Sequence, residues 1–234
     1  MIGRRASLVF RRHGEKVSTE KQKASRVGKR TGLQWKGLRR AFWKGVFNRG
    51  RTEFASTDAA TTRTNWSARA ARLGHRLTGG KTTGPVKLKP YLGYYYIKDM
   101  GAAIAEVKRL ETRYGKDGAD DAYLRRWLDG KVSPRIMLPP AQVADDIIRK
   151  EVESIKNSQA SNVQNYINRW TVEAILERLA GARFDSLIRK GKKTKGVDFT
   201  EPLKIGFTKK GRAILRYRGY KFDVTERIKE ITGA

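Results

Sequence analysis

Positive charge is spread very unevenly along these 234 residues, and that unevenness limits what the chain can fold into more than any other feature. Residues 1–95 carry 23 Lys and Arg against 4 Asp and Glu, residues 96–180 carry 14 against 13, and residues 181–234 carry 15 against 6. A near-neutral middle can pack as an ordinary domain, whereas two strongly cationic ends repel themselves unless an anionic surface meets them. Nucleic acid is the first candidate for that surface, because each phosphate neutralised releases condensed counterions. An acidic protein face is the second.

The length is enough for one large domain or two small ones with a real core in part of the chain. Five Trp, nine Tyr and eight Phe supply large apolar groups that a disordered chain lacks. There is no cysteine, so disulfides and thiolate metal sites are excluded. The apolar run Ala6 to Phe10 ends at Arg11 and Arg12, too short for a signal-peptide core or a membrane span.

Along the chain, four regions are expected. Residues 1–32 read as an extended basic arm, because 11–32 contain almost no large apolar side chain. Residues 33–97 read as a basic helical region with a short extended segment. Trp35, Leu38, Phe42 and Val46 recur at helical spacing to about residue 55, a shorter helix runs through Trp66, Ala70, Leu73 and Leu77, and 86–97 are extended. Residues 98–181 read as a helical core, with helices at 102–114, 120–128 and 143–155 and another from Ser161, whose spacing to Gln164 is a capping-box signature, to Gly181. Residues 182–234 read as a basic β-hairpin region. Leu203, Ile205 and Phe207 alternate, Lys209-Lys210-Gly211 turn the chain, Ala213, Leu215 and Tyr217 alternate again, and Thr225 caps a short terminal helix. The fold class predicted is mainly α with a C-terminal β-hairpin, an α+β chain with an extended N-terminal arm.

Chemistry-bearing patterns are few. Gly79-Gly80-Lys81-Thr82 is similar to the end of a phosphate-binding loop, but His75 stands where that loop needs its first Gly, and a flexible turn is the simpler reading. The pairs Asp120-Asp121 and Asp145-Asp146 lie at expected helix starts and complement the helix dipole, since adjacent residues on a helix do not converge on one ion. Glu151 and Glu153 with Lys156 lack the preceding strand that a nuclease-like acid set would need. No nucleophile, base and acid arrangement is legible around His13 or His75. No catalytic residue, cofactor or metal is therefore expected.

Trp35, Phe42, Trp43 and Phe47 are interleaved with cations and could stack on bases, although at helical spacing the preferred reading turns them toward a protein core. The expected contacts to a polyanion or partner are Arg4, Arg5, Arg11, Arg12, Lys29, Arg30, Arg39, Arg40, Lys190, Lys192, Lys193, Lys195, Lys209, Lys210 and Arg212.

Residues 133–155, SPRIMLPPAQVADDIIRKEVESI, resemble the closing segment of tail-completion and neck proteins of tailed bacteriophages, in which a Pro- and Arg-containing stretch leads into a final amphipathic helix. The basic Ala- and Arg-rich helices of 36–77 are similar to minor tail proteins of that group. The resemblance implies a non-enzymatic structural subunit of a virion, at the head-tail junction or in the tail. Its partners would be other virion proteins in a symmetric ring, with DNA as a further candidate and no membrane or small-molecule substrate. The competing expectation is a ribosomal protein whose basic arms and hairpin thread ribosomal RNA.

Overall fold

The computed structural model describes residues 2, 4–12, 35–48, 50–57, 62–190, 193–194, 197 and 201–234. Among them, a seven-stranded mixed sheet runs through the molecule in the order β3-β2-β4-β1-β7-β8-β9. Its strands are β1 (Ala6–Arg12), β2 (Thr52–Ser56), β3 (Lys87–Leu88), β4 (Asn162–Ile167), β7 (Pro202–Phe207), β8 (Ala213–Tyr217) and β9 (Tyr220–Asp223). A separate two-stranded ribbon pairs β5 (Arg189–Lys190) with β6 (Lys193–Thr194). The helices are α1 (Trp35–Val46), α2 (Thr62–Leu77), α3 (Met100–Leu128), α4 (Pro140–Asn157), α5 (Arg169–Ala180), α6 (Phe184–Ile188) and α7 (Thr225–Thr232).

The expectation of a mainly α chain with an appended hairpin is overturned, and with it the extended arm. The arm's apolar run Ala6–Phe10 is the central strand β1, parallel to β4 on one side and antiparallel to β7 on the other. Short apolar runs of this kind are what a strand buried on both faces requires. The second correction is β2, which the helical reading had absorbed into its basic helix. The third is β4, which replaces the first two turns of the helix expected from Ser161. The hairpin is present as β7 and β8, but as one half of the large sheet, with β9 extending it.

Side-chain alternation across this sheet sorts two lines of residues. On one face the register runs Glu53, Val163, Leu8, Ile205, Leu215, Phe222 from β2 to β9. That face is covered by α4, α5 and α7, whose Val143, Ile147, Ile148, Val152, Val172, Ile175, Leu176 and Ile228 are fully or almost fully buried. On the other face the register runs Phe54, Gln164, Val9, Lys204, Arg216, Lys221. Here α1 and α2 cover the β2 and β4 end, where Ala41, Phe54, Ala68, Ala71 and Tyr166 form a second small core. The two helices touch so closely that a Cβ at Gly45 would lie 1.8 Å from the Ala71 carbonyl oxygen.

Between the layers, α3 bends at Gly115, where φ is 69°, and brings an aromatic stack against the end of the sheet. Tyr96 lies on Trp127 with 5.3 Å between ring centroids, Trp127 lies on Trp170 at 6.1 Å, and the Trp127 indole donates to the Leu138 carbonyl at 2.8 Å. The terminal helix forms as expected, but Thr225 does not cap it. Its hydroxyl donates to Asp223 and accepts from the Ala213 amide instead.

Candidate functional site

Strands β1, β2, β3 and β4 all run in the same direction, so their carboxyl ends lie together at one edge of the sheet. Ligands of open α/β sheets bind in the crevice outside such carboxyl ends. Each of the four strands sends a polar residue there. Arg12 ends β1, Arg63 lies in the first turn of α2 after β2, Tyr94 follows the short turn Pro90–Leu92 after β3, and Asn168 follows β4 and caps α5. A cleft of about 520 Å³ opens at this edge, lined by Arg12, Tyr94 and Asn168 on the sheet side and by Met100, Ile104, Val107, Glu111 and Asp120 of α3 on the other.

The geometry of Asn168 is the most informative. Its Oδ1 accepts from the Thr171 amide at 2.9 Å, from the Thr171 hydroxyl at 3.0 Å and from the Tyr96 hydroxyl at 3.3 Å. Those three donors fix which end of the side-chain amide is oxygen. The remaining Nδ2 is buried and has no hydrogen-bond partner among the described residues. A buried donor left unmade costs about 1–3 kcal/mol, so native proteins seldom keep one without a purpose. Here it sits at the N-terminus of a twelve-residue helix, where backbone dipoles favour an anion.

Arg12 donates through Nη1 to the Val197 carbonyl at 3.0 Å, which fixes one edge of the guanidinium at the strand end. The Tyr94 hydroxyl gathers the site's electrostatics. Desolvation raises its pKa most, Arg63 and Arg12 pull it down, and Asp120 pushes it up. Arg12, Arg63 and Asp120 are therefore each near enough to act on the Tyr94 hydroxyl. Among the described residues no group of three or more His, Asp or Glu is placed to hold a metal ion.

The other sequence candidates fall elsewhere. Gly79-Gly80-Lys81-Thr82 is a turn after α2 tied to the start of β2, with the Thr52 amide donating to the Lys81 carbonyl at 2.9 Å. His75 is buried beside Phe54 rather than in the cleft. Asp145 pairs with Arg178 at 2.7 Å, Asp146 with Arg149 at 3.2 Å and Asp121 with Arg169. Glu151 is buried against Lys89, while Glu153 and Lys156 are exposed.

Of the expected contact residues that are described, Arg12 alone lines the cleft. Arg4 donates to the Ile155 carbonyl at 2.8 Å and to that of Ser158. Arg11 is buried with its Nε donating to Gln164 at 2.9 Å. Arg5, Arg39 and Arg40 are exposed, Lys209 and Lys210 form the exposed β7–β8 turn, and Arg212 pairs with Asp223 at 2.6 Å. Lys190 and Lys193 belong to the β5–β6 ribbon, and Lys29, Arg30, Lys192 and Lys195 lie outside the described residues. Sequence reasoning missed Arg63, Tyr94 and Asn168. A cap signal was available for Asn168, since Asn-x-x-Thr precedes the apolar periodicity of 172–179.

No protein-family model and no curated protein matches the chain. Solved structures do. The fold is shared with a phosphoglycerate mutase from Bacillus anthracis at 14% identity, covering 97% of each chain with a TM-score of 0.56. It is shared with an alpha-ribazole phosphatase from Shigella flexneri at 15% identity, covering 94% of this chain and 96% of that one with a TM-score of 0.52. A mycobacterial glucosyl-3-phosphoglycerate phosphatase in complex with VO3 matches at 16% identity over 86% and 92%, with a TM-score of 0.53.

These likenesses are of fold, and they span the whole chain. They overturn the phage tail-completion resemblance, which rested on the composition of two segments. The expectations built on it or beside it fall too: a non-enzymatic virion subunit, a place in a virus particle, and the ribosomal alternative. The expectation of no enzymatic activity is overturned likewise, because the named neighbours sharing the architecture are a mutase and two phosphatases.

Proposed function

We propose that the chain is a phosphoryl-transfer enzyme that hydrolyses a phosphate monoester in the cleft at the carboxyl ends of β1 to β4. The observation that carries this reading is the buried, unpartnered Asn168 Nδ2 at the N-terminus of α5, on the same cleft wall as Arg12. An amide donor, a helix terminus and guanidinium groups together are what a phosphate needs, since its oxygens accept several charge-assisted hydrogen bonds at once. The fold supports the same chemistry, because the neighbours named above act on phosphate esters or, in one case, hold VO3, a mimic of a phosphoryl group.

His13 is the next residue in the chain after Arg12 and itself lies outside the described residues. Of the two histidines, His75 is buried away from the cleft, which leaves His13 as the nucleophile candidate. An imidazole nitrogen of His13 attacks phosphorus, the P–O bond to the leaving alkoxide breaks, and a phosphohistidine forms. Water then attacks that phosphorus, giving its proton back to the group that protonated the leaving oxygen, and the P–N bond to His13 breaks to release inorganic phosphate. Arg12, Arg63 and the Asn168 amide hold the equatorial oxygens on which charge gathers in the transition state. The proton for the leaving oxygen comes from the opposite wall, where Asp120 faces Tyr94.

The test is turnover of p-nitrophenyl phosphate with His13→Ala, Arg63→Ala and Asn168→Ala. His13→Ala should abolish turnover, and rapid quenching of the native enzyme should trap an acid-labile, alkali-stable phosphoryl label on His13. Loss of one cleft donor should cost about 10²–10³ in kcat. Unchanged turnover in His13→Ala refutes the assignment.

A further inference from the structure

Among the described residues, the sheet face shared with α1 and α2 is covered only at its β2 and β4 end. Over β1, β7, β8 and β9 it forms the floor of an open groove of about 520 Å³ that lies away from the cleft. Across three neighbouring strands of that floor, Lys204 stands directly opposite Arg216, and Arg216 directly opposite Lys221. Like charges so placed destabilise a sheet. All three side chains are exposed, and none makes an ion pair or hydrogen bond among the described residues. Partial burial of its stem first, and then the nearby Arg216 and Arg11 guanidiniums, lower the pKa of Lys204, so like charge crowds it. Asp223 on the same face is already engaged by Arg212 at 2.6 Å, and Glu201 at the groove's edge is engaged by Arg218 at 2.8 Å.

Two further features decide what ligand fits. The row spans two strand spacings, about 10 Å, too far for one phosphate to neutralise. An adjoining hollow shares Ser7, Lys204 and Arg216 and continues to Arg5, so the groove is elongated. Its rims are aromatic: Phe47 is 76% exposed on one side and Tyr220 is 56% exposed on the other. Phe47 stacks on Trp43, itself 48% exposed, at 6.3 Å and 26°. Trp35, Trp43 and Phe47 are thus exposed, against the expectation that these aromatics face a protein core, while Phe42 is half-buried.

We propose that the groove binds single-stranded nucleic acid, with the phosphodiester backbone along Lys204, Arg216 and Lys221 and bases stacked on Phe47 and Tyr220. A cationic track flanked by aromatic faces is the arrangement that takes single strands without reading their sequence. The inference stands apart from the cleft chemistry and survives its failure.

The test is fluorescence anisotropy of a labelled single-stranded 12-mer against the full chain between 50 and 200 mM salt. The native chain should bind, and Lys204→Glu/Arg216→Glu/Lys221→Glu should weaken binding at least tenfold at 50 mM. Three lost phosphate contacts should flatten the slope of log affinity on log salt by about 2. Phe47→Ala, a surface change that leaves the sheet intact, should weaken binding at least about fivefold. Arg63→Ala in the cleft should leave it unchanged. The proposal is overturned if the native chain does not bind at 50 mM. It is equally overturned if the triple variant, folded by circular dichroism, keeps affinity and slope, or if a poly-glutamate peptide or a duplex binds as tightly as the single strand.

Discussion

Lys89→Met should be among the most damaging single changes outside the large core and its smaller companion. The Lys89 ammonium lies 2.9 and 3.0 Å from the two oxygens of Glu151 and 3.1 Å from Glu53, with the lysine side chain 7% exposed and both carboxylates fully buried. Glu151 has other donors, the Tyr91 hydroxyl at 2.7 Å and the Asn165 amide at 3.0 Å. Glu53 does not. Lys87 and Lys89 approach it as ion pairs, at 2.6 and 3.1 Å, but neither of its oxygens receives a hydrogen bond. Among the described residues, removing Lys89 leaves two buried negative charges with only the half-exposed Lys87 paired to either of them. Breaking a buried pair by removing one partner costs about 3–5 kcal/mol, because the survivor's desolvation is no longer repaid. Urea unfolding at pH 7 should show that loss with an unchanged m-value. Lys89→Met combined with Glu53→Gln and Glu151→Gln should recover most of it, since the orphaned charges are then gone. A loss under about 1 kcal/mol in the single variant, or no recovery in the triple, would refute the account of Lys89 as the counter-charge to both carboxylates.

Two other changes test separate parts of the structure. Gly45→Ala would gain about 1 kcal/mol of helix propensity, but its Cβ would meet the Ala71 backbone carbonyl, forcing α1 and α2 apart at about 3 kcal/mol, so thermal unfolding should show a net loss near 2 kcal/mol. Glu177 is raised to about 7, by burial first and by Asp129, Asp185 and Glu173 next, against the pull of Arg125. Between about 4.5 and 7 the folded state therefore binds a proton that the unfolded state releases, and stability falls as pH rises through that window. Glu177→Gln should flatten this dependence by about 1 kcal/mol once solvent screening of the half-buried side chain is allowed for, and an unchanged pH profile of urea midpoints would show that Glu177 does not titrate there.

The helix α4 and the hairpin β7–β8 were legible from periodicity, because each pairs one apolar face with one polar face, whereas α2 packs through Ala68 and Ala71 and leaves the expected Leu73 and Leu77 exposed. The strands of the parallel half were not. β1 was hidden because Arg11 and Arg12 follow its apolar run, although Leu8 and Phe10 are wholly buried and Arg11 satisfies its Nε on Gln164. β4 was hidden by its composition. Asn162, Gln164 and Asn165 look polar, yet Asn165 serves the buried Glu151, Gln164 serves Arg11, and Asn162 accepts from Ser7 at 3.0 Å. These partners are 14 to 155 residues away in sequence, so no local pattern reveals that their burial is satisfied. The cleft was illegible for the same reason, since it gathers single residues from four strand ends rather than a spaced motif.

Charge along the chain suggested two cationic ends around a neutral middle, but the fold rearranges it into faces. The N-terminal strand lies between β4 of the middle and β7 of the C-terminal part, so the cations of both ends meet on one sheet. Consecutive residues on a strand point to opposite sides, and Arg11 and Arg12 illustrate the consequence. Arg11 lies on the floor of the open groove with Lys204 and Arg216, while Arg12, one residue on, closes β1 at the cleft beside Asn168. A one-residue slip of β1 would turn each of its side chains to the opposite face, removing Leu8 and Phe10 from the core and Arg11 and Arg12 from the places they now hold. The register that buries the apolar run is therefore the same constraint that supplies positive charge to both sites, which is why a strand this basic can sit at the centre of the molecule.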